Sequence, residues 1–197
     1  SDRRFSQFQS FDLQLICDVI NECNFKKVTI FDPHSDVTLA LIHNSEKKSS
    51  FEYVQQVTHN LYDKLINKDD LVLVSPDAGA YKKVFEYTEI LNLPVVAAVK
   101  NRDLKGNISL TFMGDVKDKR CLIVDDLCDG GYTFIKLAEE LRKNGAAKVY
   151  LYVSHGLFSK GFKVFDGIID HIYCTNSVKD LNIRDIGRDE GMIDFVT

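Results

Sequence analysis

Residues 121–133 read CLIVDDLCDGGYT, and this stretch decides the fold. Its first four residues form an uninterrupted apolar run, which is typical of a strand that is covered on both faces of a sheet. The run ends at two adjacent carboxylates, Asp125 and Asp126, and a turn with two glycines then leads to Thr133 at the predicted start of a helix. A buried strand, an acidic turn and a helix in this order predict one unit of an α/β sheet.

The same alternation of strands and helices continues on both sides of this stretch. Apolar residues at helical spacing predict helices at residues 11–23, 50–66, 81–91 and 133–143. Short apolar or alternating runs predict strands at residues 28–31, 71–74, 94–99, 108–113, 121–124 and 149–153, and within 168–174. The polar residues 101–107 are expected to form a flexible loop. This order of elements predicts a parallel α/β sheet with right-handed crossovers.

The composition is that of an ordinary globular protein, with 197 residues, 45% hydrophobic and 27% charged. The net charge of -4 gives no electrostatic case for binding nucleic acid or a membrane, and no stretch is apolar enough to span one. The five cysteines include no CxxC pair, and Cys17, Cys121 and Cys174 lie in apolar runs. We therefore expect reduced core thiols and a cytoplasmic location.

Polar residues follow five of the predicted strands, at the end where open α/β sheets bind their ligands. A sheet needs none of these residues to fold, so their concentration at one edge predicts a site. They are Asp32 and His34, Asp77 and Gly79, Lys100 and Arg102, then Asp125, Asp126 and Asp129, and finally His155.

Residues 125–133, called the acidic turn below, predict binding of a ribose that carries phosphate. Carboxylates suit the hydroxyl pair of a ribose and the hydrated Mg²⁺ that bridges sugar and phosphate. Glycines let backbone amides close around an anion, and the start of a helix adds a favourable field. The pattern also fits a plain strand-to-helix turn in which Thr133 caps the helix.

Residues 124–133 resemble the ribose-phosphate loop of two enzyme groups, the type I phosphoribosyltransferases and the ribose-phosphate diphosphokinases (PRPP synthetases). Further motifs, in family order, resemble the diphosphokinases. Residues 2–4 (DRR) resemble the end of their YxRQDRK segment, 32–34 (DPH) their DLH motif, 75–79 (SPDAG) their SPDxGG motif, 114–119 (GDVKDK) their GDVKxK segment, and 154–159 (SHGLFS) their THGxFS motif. The resemblance covers nearly the whole chain.

The resemblance implies a type I phosphoribosyltransferase-like parallel-sheet domain over residues 71–197. Residues 1–70 would then be the C-terminal part of a second, similar half-domain on the ATP side. The chain does not begin with Met and lacks most of the family's N-terminal half-domain, so we expect upstream sequence to be missing.

The family reaction moves the β,γ-diphosphoryl group of ATP to the C1 hydroxyl of a ribose and releases AMP. Lys100 and Arg102 match the family's catalytic Lys-x-Arg on a mobile loop, where two cations would stabilise the oxygens of the transition state. The other interpretation of these two residues is a solvated basic loop.

The resemblance also implies the remaining site residues. Asp2, Arg3 and His34 would bind ATP, and His34 would also contact metal. Mg²⁺ would be held by Asp77, Asp125 and Asp126, and the last two would also bind the 2′ and 3′ hydroxyls. The 5′-phosphate cradle would comprise Asp129, Gly130, Gly131, Tyr132 and Thr133.

The family loop usually reads DDxxDTxGT, and this chain departs from it at two positions. Gly130 replaces a Thr, which removes a phosphate hydrogen bond with a net value of about 1.5–3 kcal/mol. Tyr132 replaces a small Gly. These changes predict that a 5′-extended ribose such as ADP-ribose is accepted in place of, or beside, ribose 5-phosphate. Such an acceptor would connect the reaction to NAD metabolism as well as to nucleotide biosynthesis.

Two alternative functions stay open beside the diphosphokinase, namely a phosphoribosyltransferase that consumes PRPP and a non-catalytic regulatory paralogue. The residues matching an ATP site, His34, Lys100 and Arg102, disfavour the transferase, which needs no ATP. Their retention with the three loop aspartates disfavours the paralogue. The family forms dimers that build hexamers, so the resemblance also implies a homo-oligomer.

Overall fold

The computed structural model describes residues 11–62, 70–102, 108–176, 178 and 192–197. The chain divides into two compact units, residues 1–50 and residues 51–197. None of the described helices combines the length and the apolar character that crossing a membrane requires.

The described part of the first unit, residues 11–50, contains two helices and a two-stranded parallel sheet. Its elements are α1 (Asp12–Glu22), β1 (Val28–Phe31), α2 (Val37–Leu41) and β2 (Ser45–Lys48). β1 and β2 pair in register from Val28 opposite Ser45 to Phe31 opposite Lys48. The sequence predicted α1 and β1 but not α2 or β2. β2 reads SEKK, which has no apolar residue, so hydrophobic patterning could not reveal it.

The second unit is a sheet with helices on both faces. Its elements are α3 (Phe51–Tyr62), β3 (Leu71–Ser75), α4 (Ala78–Leu91), β4 (Val95–Arg102), β5 (Ile108–Met113), β6 (Arg120–Cys128), α5 (Tyr132–Lys143), β7 (Lys148–Gly156), a 3₁₀ helix (Lys163–Phe165), β8 (His171–Cys174) and β9 (Ile193–Phe195). Seven strands of this described part form one sheet in the order β5-β4-β3-β6-β7-β8-β9.

The predicted parallel α/β sheet is confirmed, with one correction at the β5 edge. Every described neighbouring pair is parallel except β4 and β5, which are antiparallel. Only residues 103–107 separate these two strands. A parallel connection needs a crossover of a dozen or more residues. Because this link is much shorter, the two strands form an antiparallel hairpin.

The sheet is buried on both faces, as its continuous apolar strands predicted. Along β6, Cys121 and Ile123 join the core on the α5 side, while Leu122 and Val124 join the core on the α3 and α4 side. All four side chains are fully buried. Alternate residues of one strand thus serve two separate cores.

α3 belongs to the second unit. Its residues Val54, Val57 and Leu61 are buried in the same core as Leu71 and Leu73 of β3. By compactness the chain divides after Ser50, and the domain boundary at residue 70 that the sequence suggested stays a prediction. The identity of the first unit as part of a second phosphoribosyltransferase-like domain stays a prediction.

Several strands extend further toward their carboxyl ends than the apolar runs indicated. β6 continues past Val124 because its ladder with β7 goes on, with Asp125 opposite Val153 and Cys128 opposite Gly156. The two adjacent aspartates therefore lie inside a strand. β4 likewise includes Asn101 and Arg102, which the sequence assigned to a loop. β9 has three residues and was not predicted.

Candidate active site

The carboxyl ends of the parallel strands place Asp77, Asp125 and His155 along one edge of the sheet. β3, which precedes Asp77, pairs with β6, which contains Asp125. β6 in turn pairs with β7, where His155 lies opposite Leu127. The parallel pairing therefore brings these three predicted rim residues to the same edge, where such sheets bind ligands.

Asp125 and Asp126 form a tight carboxylate pair at the centre of this edge. Asp126 is only 8% exposed, and Asp125 is partly buried. The Asp126 amide donates a hydrogen bond of 2.9 Å to Oδ1 of Asp125. The backbone of one aspartate thus fixes the side chain of the other.

Burial of this pair raises the pKa of Asp125 to about 7, and the hydrogen bond and negative charge of the Asp126 carboxyl add to the effect. The Asp126 amide and the nearby Lys83 ammonium act in the opposite direction. Two carboxyls held this close ionise together only when a positive charge is near. The pair is therefore suited to bind a cation.

The donor set fits Mg²⁺ in one particular way. Magnesium in proteins is commonly bound by one or two carboxylates, while waters and substrate phosphates supply its other ligands. Within the described residues, no cluster of three or more His, Cys, Asp or Glu side chains is arranged to hold a metal ion. Asp125 and Asp126 match the two-carboxylate arrangement.

Gly131 is fixed in place by its backbone and by its neighbour. Its φ of +79° lies in the left-handed region, which residues with a side chain rarely adopt. A Cβ at this position would overlap Cζ of Phe165, a fully buried ring. The turn therefore requires glycine here.

Gly130 is under no such constraint. A Cβ at Gly130 would lie 3.4 Å from Cγ of Lys160 and 3.9 Å from Oγ of Ser159, which are ordinary contact distances. Its φ is outside the positive region. A β-carbon at residue 130 would therefore pack against Lys160 and Ser159 without a clash, and neither the backbone nor the packing requires glycine there.

α5 begins directly after this turn, at Tyr132, with Gly131 at the N-cap. No side chain caps the helix, and the proposed capping role of Thr133 is wrong, because Thr133 is already the second helical residue. The first amides of a helix have no partner within it, and together with the helix field they attract anions. The start of α5 is thus suited to hold a phosphate.

Residues 157–159, which follow β7, hold the acidic turn in place through backbone hydrogen bonds. The amides of Leu157 and Phe158 donate to the carbonyl of Cys128 at 2.8 and 3.3 Å, and the amide of Ser159 donates to the carbonyl of Asp129 at 3.2 Å. The sequence singled out residues 154–159 as a motif without a derived role. Their structural role is to hold the acidic turn against the core.

Tyr132 points out from the start of α5 and is 72% exposed. The Nζ atom of Lys136, one turn along the helix, lies 6.0 Å from the centre of its ring. An exposed aromatic ring at this position borders the space above the loop.

Asp77 has a structural task that the sequence did not predict. It is the N-cap of α4, and its Oδ1 accepts hydrogen bonds from the amides of Gly79 and Ala80 at 2.9 and 3.0 Å. A cavity of about 670 Å³ opens beside it, lined by Asp77, Ala78, Gly79, Tyr81, Ala97, Ala98, Val99 and Met113. The assignment of Asp77 to a magnesium ion stays a prediction.

For the remaining predicted site residues, the structure describes only the backbone, only the exposure, or nothing. The backbones of Lys100 and Arg102 lie at the end of β4, opposite Leu110 and Ile108 of β5, but their side chains are outside the described part of the chain. Asp2 and Arg3 are outside the described residues altogether. His34 is exposed and follows β1 in the first unit.

Comparison with known proteins connects this geometry to a family. The phosphoribosyl synthetase-associated domain model matches residues 18–187. A ribose-phosphate pyrophosphokinase from Mycoplasma genitalium is 32% identical over 193 residues, which cover 93% of this chain and 56% of that protein. One from Mycoplasmopsis pulmonis is 28% identical over 187 residues, which cover 92% of this chain and 57% of that protein. The chain spans a little over half the length of these relatives.

A solved structure supports the fold. The phosphoribosylpyrophosphate synthetase from Mycobacterium smegmatis superposes with a TM-score of 0.80 at 20% identity, covering 99% of this chain and 62% of that one. At this identity the likeness concerns the fold alone. The family model, in contrast, matches most of the sequence. The chain therefore belongs to the ribose-phosphate pyrophosphokinase (PRPP synthetase) family, as its motifs indicated.

Proposed function

We propose that the protein is a Mg²⁺-dependent diphosphokinase that transfers the β,γ-diphosphoryl group of ATP to the C1 hydroxyl of a ribose, which is ribose 5-phosphate or a 5′-extended ribose such as ADP-ribose. The observation that carries this proposal is the buried Asp125–Asp126 pair, followed within a few residues by the uncapped start of α5. Carboxylates for a ribose and amides for a phosphate stand next to each other.

The transfer needs positioning and charge neutralisation more than covalent help from the protein. The C1 oxygen forms a bond to the β-phosphorus of ATP, the bond from that phosphorus to the bridging α,β oxygen breaks, and AMP leaves. The proton of the hydroxyl passes to solvent. Bound Mg²⁺ would supply positive charge to the phosphate oxygens.

The chain's own residues would divide the remaining work. Asp125 and Asp126 would bind the ribose hydroxyls, and the amides at the start of α5 would bind the 5′-phosphate. Lys100 and Arg102 would stabilise the negative oxygens of the transition state. Their roles rest on the match to the family's Lys-x-Arg, together with the position of their backbone at the end of β4.

The missing side chain at Gly130 and the exposed ring of Tyr132 support a 5′-extended acceptor. Tyr132 offers a flat surface against which an adenine or a second ribose can pack. The two departures from the usual family loop thus both lie at the start of α5, where the 5′-phosphate would bind.

Turnover tests this proposal. The full protein is incubated with ATP, Mg²⁺ and either ribose 5-phosphate or ADP-ribose, and AMP is measured. We expect AMP with both sugars and faster release with ADP-ribose. Faster release with ribose 5-phosphate would refute the extended acceptor. No AMP with either sugar would refute the diphosphokinase, and consumption of PRPP with a base would then identify a phosphoribosyltransferase.

We further propose a homo-oligomer in the cytoplasm. Cys17, Cys121, Cys128 and Cys174 are buried as free thiols, which suits a reducing compartment. The oligomer is proposed on the family resemblance, and light scattering of the full protein would test it.

A further inference from the structure

Lys160 lies beside Gly130 of the acidic turn. Its Cγ is 3.4 Å from the point where a Cβ at Gly130 would stand, and the Oγ of the preceding Ser159 is 3.9 Å from it. The rest of the Lys160 side chain continues beyond Cγ and ends in an ammonium group. The fold therefore packs the stem of a lysine against Gly130 of the acidic turn.

The backbone that carries Lys160 is firmly held. Phe158 is buried with a φ of +46°, and the amide of Gly161 donates to its carbonyl at 2.9 Å. The amide of Ser159 is bonded to the carbonyl of Asp129 at 3.2 Å. Lys160 thus starts from a fixed point on the wall of the loop, and only its side chain has freedom to move.

The ammonium of Lys160 is available for a ligand. The side chain is exposed, and no described residue forms an ion pair with it. Lys136, the other lysine near the loop, differs in this respect because its Nζ is bonded to Glu139 at 2.7 Å.

The local charge calls for such a cation. Residues 121–135 contain three aspartates and no lysine or arginine. A phosphate at the start of α5 meets helix amides, but a second phosphate further out on the 5′ side is beyond the reach of the first helical turn, where the helix field is strong. A cation from another part of the chain is the chemistry that would bind it.

We propose that Lys160 is a specificity-determining residue whose ammonium, carried on a stem that packs against Gly130, binds the 5′-phosphates of the acceptor, so that a ribose with a 5′-diphosphate is preferred over one with a 5′-monophosphate. This inference rests on the proposed function, since it concerns the acceptor of that same site. It names the acceptor class as a 5′-diphosphate ester of ribose.

The test compares Lys160→Gln with Lys163→Gln in the full protein. Both variants remove one exposed lysine charge, but Lys163 lies on the 3₁₀ helix that follows the loop support. For Lys160→Gln we expect KM for ADP-ribose to rise roughly tenfold or more, KM for ribose 5-phosphate to rise much less, and kcat to stay within about twofold. Lys160→Arg should retain most of the preference, and Lys163→Gln should match the wild type.

Equal changes for the two sugars, or none for either, would overturn the inference. Calorimetric measurement of each sugar's binding in the absence of ATP tests the role of Lys160 separately from the proposed diphosphokinase activity. If no AMP forms with any sugar, yet Lys160→Gln selectively weakens ADP-ribose binding, the diphosphokinase fails and the role of Lys160 stands. If AMP forms and Lys160→Gln changes neither the affinity nor the KM for either sugar, the diphosphokinase stands and the proposed role of Lys160 fails. Failure of the wild type to bind either sugar would refute Lys160 binding.

Discussion

The ring of Phe165 occupies the place where a β-carbon of Gly131 would stand. Phe165 is fully buried and lies edge-on to Phe158, with their ring centres 6.2 Å apart. The acidic turn thus packs against the ring of Phe165, which itself packs on Phe158, and both rings come from a later part of the chain. Loop conformation and core packing are therefore linked at one residue.

Gly131→Ala is expected to destabilise the fold by about 2 kcal/mol or more, because it combines a left-handed backbone with overlap against a buried ring. Gly130→Ala is the matched control, since its Cβ would meet only ordinary contacts, and it should change stability by about 0.5 kcal/mol or less. Urea denaturation measures both. Equal losses in the two variants would contradict this account of the turn.

Asp125 should make stability fall as the pH rises. Its pKa is raised in the folded state, so the folded protein binds the proton more tightly than the unfolded chain. Its contribution is fully present below the unfolded pKa of about 3.9 and is lost as pH rises through the folded value near 7. Asp125→Asn should therefore lose less stability than the wild type between about pH 5 and pH 8.

The measurement is the free energy of unfolding in urea at both pH values without added metal. Asp166→Asn, which removes an exposed carboxylate after the 3₁₀ helix, serves as the control and should follow the wild type. A steeper pH dependence in Asp125→Asn than in the wild type would reverse the assigned sign.

Millimolar Mg²⁺ should raise the melting temperature of the wild type, because an ion that binds only the folded state stabilises it. The rise should be larger at about pH 8 than at about pH 5, since protonation of the pair competes with the metal. Asp126→Asn should abolish most of it. An undiminished rise in Asp126→Asn would place the ion elsewhere.

Asp77 should reveal two separable roles. Asp77→Ala removes the cap of α4 and should cost about 1 kcal/mol of stability. Asp77→Asn keeps a carbonyl oxygen that can accept from Gly79 and Ala80, and it should therefore be close to the wild type in denaturation. If Asp77 also assists magnesium and phosphate, both variants should lose turnover. Normal turnover in Asp77→Asn would limit Asp77 to capping.

Lys100→Ala should abolish AMP formation and leave acceptor binding unchanged, because its proposed role is in the transition state alone. Lys105→Ala provides the control, being a nearby lysine on the same polar segment. Turnover and calorimetric binding are measured on both. Similar small effects in the two variants would favour a solvated basic loop over catalysis.

The central strands of the second unit could be predicted because their burial on both faces produces long apolar runs, as in residues 71–74 and 121–124. β2 and β9 could not, because one has no apolar residue and the other only three residues in all. The ends of β6 and β7 were missed for a related reason. There the ladder continues through polar residues that serve the site, so hydrophobicity stops before the strand does.

The residues proposed for the site could be picked out from the sequence, and their roles stay a prediction, whereas the contacts that support them could not be foreseen. The adjacent carboxylates and the glycine turn are local in sequence and could be recognised there. The cap made by Asp77 depends on where α4 begins, and the position of Lys160 depends on the fold of the chain after β7. The cap of Asp77 is a local contact and was missed because the helix was predicted from residue 81, whereas α4 begins at Ala78. The contact of Lys160 with the turn joins distant segments, which leaves no mark in local composition.

The hydrogen bonds from Leu157, Phe158 and Ser159 to the acidic turn also bear on how this family can diverge. They hold the backbone of the turn without using the side chains at positions 130 and 160. If positions 130 and 160 set the accepted sugar, as proposed above, substitutions there can alter that sugar while the backbone hydrogen bonds of the turn are kept. On this proposal, the side chains that select the sugar differ from the backbone groups that hold the turn, so the first can change without loss of the second.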